Sequence, residues 1–100
     1  MEESKNVTII IDLSKKFKNL KGEEIGKVSM GRTLAQYFVD ISTSDSRKLF
    51  EISVKLLDDK PIEISEDDYN RICYIIDQST MSNIMQVRLL EALGKALRIE

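Results

Sequence analysis

The first patterned stretch is VTIIIDL, residues 7–13, a β-branched run bounded by polar residues, which predicts a strand. KKFKNLKGEEI follows, with Lys21-Gly22 between two short segments. Glycine tolerates positive φ, so that dipeptide predicts a hairpin turn. Two or three short strands are expected by about residue 28, and the pattern beyond is helical. Ser29 is placed to cap a helix over roughly 30–42, with Met30, Leu34, Phe38 and Ile41 on one face and Ala35 and Val39 on its flank. Ser44 or Asp45 caps a second helix, about 46–58, turning Leu49, Phe50, Ile52, Leu56 and Leu57 inward. Pro61 enforces an extended break, because the residue before a proline is pushed out of the α region. Ser65 followed by Asp68 resembles a capping box and opens a third helix, about 66–77, with Tyr69, Ile72, Cys73 and Ile76 inward. QSTMS restarts a last helix, about 80–97. The expected fold is α+β, one domain over 1–100, with an N-terminal β-hairpin or small antiparallel sheet (about 7–28) packed on a bundle of three to four helices.

The last helix carries the widest apolar arc. Met81, Met85, Leu89, Ala92, Leu93 and Ala96 define it, Leu90 and Leu97 flank it, and Gln86 projects within it. Arg88, Glu91, Lys95 and Arg98 run opposite as a solvated face, with Glu91 and Lys95 at i, i+4. Such an arc in a small protein predicts either a deep core helix or a partner surface. Met85, Gln86, Leu89, Leu90, Leu93 and Leu97 are therefore candidate partner-binding residues.

Charge narrows the function classes. The net charge of −2 argues against a dedicated nucleic-acid binder. Its layout is uneven: Lys15, Lys16, Lys18, Lys21 and Lys27 cluster around the hairpin, and Asp58, Asp59, Glu63, Glu66, Asp67 and Asp68 crowd the stretch before and into the third helix. Lys15, Lys16, Lys18 and Lys21, with Phe17 interleaved, are the candidate nucleic-acid contacts. The acidic stretch lacks the glycine and ligand spacing of a calcium loop and suits a helix N-terminus instead. Residues 69–94 fit a helix-turn-helix only poorly, since the helix opening on EDD would meet phosphates with the wrong charge.

Catalytic chemistry finds few carriers. The chain has no histidine, which removes the commonest general base, the usual zinc ligand and every Ser-His or Cys-His pair. Cys73 is the only cysteine and lies on an apolar face, so it reads as a buried, inert thiol in a reducing compartment. GKVSMGRT, residues 26–33, nearly spells a phosphate-binding P-loop, with Arg32 in the lysine position. The preceding LKGEEI is a polar hairpin arm and not a buried parallel strand, so the letters read better as a capped helix start with Gly31 in close packing. No catalytic, cofactor or metal site is expected. The polar first residues and the absence of a long apolar run predict no membrane segment and a cytoplasmic setting.

The blocks IDLSKKFKNLKGEEI, VSMGRTLAQYF, IEISEDDYNRI and QVRLLEAL together resemble a group of small proteins of tailed bacteriophages and prophages. Asp12, Leu13, Ser14 and Lys15 carry the first element of that pattern, and Asn19, Leu20 and Gly22 the second. Ser29 through Arg32 with Leu34 and Ala35 carry the third, and Gln86 through Leu93 the last. The resemblance implies a bacterial or phage setting and no catalytic residues. The expected function is a non-enzymatic protein–protein interaction module, in virion assembly or host takeover, acting through the last helix and the basic hairpin on a protein partner or by self-association. The alternative is a nucleic-acid-binding accessory protein using the Lys15–Lys27 hairpin.

Overall fold

In the computed structural model, residues 7–41 and 46–99 are described. The fold is α+β, with five strands and four helices among those residues: β1 (Thr8–Ile11), β2 (Lys16–Lys18), β3 (Glu24–Ser29), α1 (Met30–Asp40), α2 (Ser46–Leu56), β4 (Ile62–Ser65), α3 (Glu66–Asp77), α4 (Asn83–Gly94) and β5 (Leu97–Ile99). They group into two compact units, one built from the chain up to Ile11 and from Glu63 onward, the other from Asp12–Ile62.

The first unit holds a three-stranded sheet in the order β4-β1-β5. β1 and β5 run antiparallel, with Thr8 opposite Ile99 and Ile10 opposite Leu97. Ile9, Ile11, Ile64, Ile72, Ile76, Leu89 and Leu93 are its buried apolar residues. Ser65 caps α3 as expected, its hydroxyl accepting from the Asp68 amide at 3.1 Å. Glu66, Asp67 and Asp68 then occupy the first turn, where the helix dipole favours negative charge.

The second unit holds the β2–β3 hairpin and the α1–α2 pair. Ser29 caps α1, its hydroxyl accepting from the Arg32 amide at 3.1 Å. The amides of Met30 and Gly31 donate to the carbonyls of Lys15 and Leu13, both at 2.8 Å, so two orphan donors of the first helical turn are held by backbone. Met30, Leu34, Ala35 and Phe38 of α1 are buried, as are Leu49, Ile52, Ser53 and Leu56 of α2. The expected caps of α2, Ser44 and Asp45, lie outside the described residues.

Several expectations are corrected. Phe50 and Leu57 are not turned inward; they are 60% and 50% exposed. The last helix does not run over 80–97: Ser82 caps it, accepting from the Met85 amide, and it ends at Gly94. Leu97 therefore belongs to a strand, not to the helix arc. Of the expected hairpin or small sheet over about 7–28, β2 and β3 form the hairpin, and β1 stands apart from it, pairing with β4 and β5.

Candidate interaction surface

The hairpin is built around one buried aromatic. Along β2, Lys16 and Lys18 are exposed and Phe17 between them is buried, the period-2 alternation of a strand with one face on the core. Phe17 thus anchors the ribbon and is not free to stack on a base, which removes the aromatic half of the nucleic-acid signature. Lys15, Lys16, Lys18, Lys21 and Lys27 are all exposed, so the four candidate contact lysines lie on or beside one polar ribbon.

Asn19 organises the tip. Its side-chain oxygen accepts from the amides of Lys21 (2.9 Å) and Glu23 (3.0 Å), and its side-chain nitrogen donates to the Glu23 carboxylate. Its backbone amide donates to the Glu23 carbonyl at 2.8 Å, and its carbonyl accepts from Gly22 at 3.0 Å. Gly22 takes φ of 88°, as the expected turn requires. Beyond the tip the register slips: Lys18 pairs with Glu24 and Lys16 with Ser29, so Phe17 alone opposes Ile25–Val28. That is a bulge of three extra residues, with Gly26 at φ of 80°. It turns Ile25 and Val28 to solvent, and Leu20 at the tip is 89% exposed. Of these three only Leu20, next to the Lys21-Gly22 turn, had a signal in the sequence.

The near-P-loop letters have a structural role. Ser29 donates its hydroxyl proton to the Asp59 carboxylate at 2.5 Å while accepting from the Arg32 amide, and Arg32 pairs with the other Asp59 oxygen at 3.0 Å. Asp59 has φ of 53°, so this pair holds a non-glycine residue in the left-handed region just after α2. β3, which precedes α1, is the exposed antiparallel partner of β2. The acidic stretch is engaged elsewhere too, Glu66 pairing with Arg98 at 2.9 Å.

The α4 candidates separate. Leu89 and Leu93 are core residues, 0% and 1% exposed, and as placed they reach no partner. Gln86 is turned inward: its side-chain nitrogen donates to the carbonyls of Ile76 (2.9 Å) and Ser79 (3.2 Å), capping the end of α3. Met85 and Leu90 are half-buried, and Leu97 is exposed on β5. On the polar side Glu91 pairs with Arg88 at 3.0 Å rather than with Lys95. Cys73 is half-buried; burial pushes its thiol up, and the Tyr69 hydroxyl beside it partly offsets this. Tyr69 donates to the Leu93 carbonyl at 2.8 Å and has Arg98 over its ring, and burial pushes its own pKa up. Among the described residues no three acidic or cysteine side chains stand together as metal ligands, and no helix is long and apolar enough to cross a membrane.

No family model, no curated protein and no solved structure matches the chain.

Proposed function

We propose that the protein is a non-enzymatic interaction module whose contact surface is the β2–β3 hairpin. One observation carries this: Leu20, Ile25 and Val28 are exposed on a ribbon whose tip is fixed by the Asn19 hydrogen bonds and whose base is fixed by Phe17. Apolar side chains held out on an ordered scaffold lose little entropy on docking, and such preorganisation favours binding. The lysines around them select the partner's charge, so the surface suits an apolar depression rimmed by carboxylates. The resemblance to small proteins of tailed phages supports a setting in virion assembly or host takeover. Compared with the sequence reading, the weight moves from the last helix to the hairpin, since Leu89, Leu93 and Gln86 serve the fold.

The test is affinity capture from phage-induced and uninduced bacterial cells after nuclease treatment, with the wild type and a Leu20→Asp/Ile25→Asp double variant side by side. The reading expects protein partners held by the wild type and reduced at least about tenfold by the variant. Partners kept equally by both proteins would remove the hairpin from the account. Capture that disappears with nuclease and weakens steeply with salt would instead favour nucleic-acid contact through Lys15, Lys16, Lys18 and Lys21.

A further inference from the structure

α2 is apolar on two sides. Leu49, Ile52 and Leu56 are buried in the unit, together with Ser53, whose hydroxyl is turned back to the Leu49 carbonyl at 2.8 Å. Phe50, Val54 and Leu57, spaced i, i+4, i+7, form a second stripe that is 60%, 50% and 50% exposed. Leu57 and Asp58 continue the helical course by one tight turn, their amides donating to the carbonyls of Val54 and Lys55. The charges beside the stripe are graded along the helix. Arg47 lies at its start, Glu51 in the middle and Asp58 at its end, all on the same flank and all exposed.

We propose that this stripe docks on the same stripe of a second copy of the chain, the two α2 helices antiparallel about a two-fold axis. Antiparallel helices bring like flanks together in reverse order, so Arg47 of each copy meets Asp58 of the other. Parallel pairing would bring opposite flanks together instead, setting Arg47 and Asp58 of one copy against the Ser46 flank of the other and leaving this ion pair unmade. The only ion-pair partner Asp58 has at present among its described neighbours is Lys60 at 4.0 Å, both well exposed, a contact that is easily exchanged. An 11-residue helix is about 16 Å long, so the contact falls well short of the roughly 800 Å² per partner of stable complexes. The dimer is therefore weak, with Kd on the order of 10–100 μM. This surface shares no residue with the hairpin, so either can fail without the other.

Sedimentation equilibrium of the full chain at low salt tests it. A reversible dimer is expected, reduced to monomer by Val54→Asp with the far-UV circular dichroism unchanged. Arg47→Asp and Asp58→Arg should each weaken association by about 3–10-fold, and the two changes together should restore it. A protein that stays monomeric to about 500 μM, well above the expected Kd range, overturns the proposal. So does a dimer untouched by Val54→Asp, or a double charge exchange that recovers nothing.

Discussion

Gly31 stands where the backbone is tightest. A Cβ there would lie 3.1 Å from the Leu13 carbonyl oxygen and 3.3 Å from that of Leu56, and neither is the end of a flexible side chain. Gly31→Ala is expected to destabilise the protein by about 1–2 kcal/mol, the overpacking cost less the better helix propensity of alanine. A urea melt showing equal or greater stability would contradict that packing. Asp59 combines a left-handed backbone with bonds to Ser29 and Arg32. Asp59→Asn keeps a residue that tolerates positive φ and an acceptor for Ser29, whereas Asp59→Ala keeps neither. Thermal melts should rank wild type, Asn, then Ala, the last lower by about 1–3 kcal/mol; an alanine variant as stable as wild type would show that the contacts are idle. The sequence displayed Ser29 as a cap and Gly31 as a close-packing position because both are local signals. Asp59 was hidden, because its partners lie about 30 residues earlier in the chain.

Among the elements, α3 was legible to the residue, since Ser65 and the acids after it mark a helix start through backbone chemistry within one turn. α4 was not. Leu97 follows Leu93 by four residues, so the helical period continues on paper past Gly94, although Leu97 and Ile99 alternate as strand residues. Their partner β1 lies at the opposite end of the chain, and no local pattern announces such a pairing. Gln86 was read as a candidate partner contact within an apolar arc; in the fold it satisfies two carbonyls at the end of α3. Gln86→Met, similar in shape but without a donor, should cost about 1–3 kcal/mol by leaving those carbonyls short of a partner. Hydrogen exchange should quicken at the Gln78 and Ser79 amides, which close that turn. Unchanged protection there would mean that the α3 end is held without it.

At the scale of the whole molecule, charge decides the response to pH. With no histidine, the chain lacks the side chain that ordinarily titrates between pH 5 and 8. Asp12 is the acid to watch: the hydroxyl and amide of Ser14 both donate to its carboxylate, which lowers its pKa. A carboxyl with a lowered folded pKa contributes fully above its unfolded value near pH 4 and loses that contribution as pH falls through the folded value. The melting temperatures of wild type and Asp12→Asn should therefore differ at pH 6 and converge as the pH falls through the folded value; a gap that widens on acidification would reverse the assignment. The exposure of Ile25 and Val28 is a matter of the β3 bulge, and a three-residue register slip leaves only Gly26 as its trace in the sequence.

The most direct measurement is a methyl NMR titration of the isotope-labelled protein with a partner recovered by nuclease-resistant capture. The account predicts that the methyl signals of Leu20, Ile25 and Val28 shift or broaden first, while those of Leu89 and Leu93 stay in place. Perturbation centred on Met85 and Leu90, with the hairpin methyls unmoved, would contradict it and return the contact surface to the last helix.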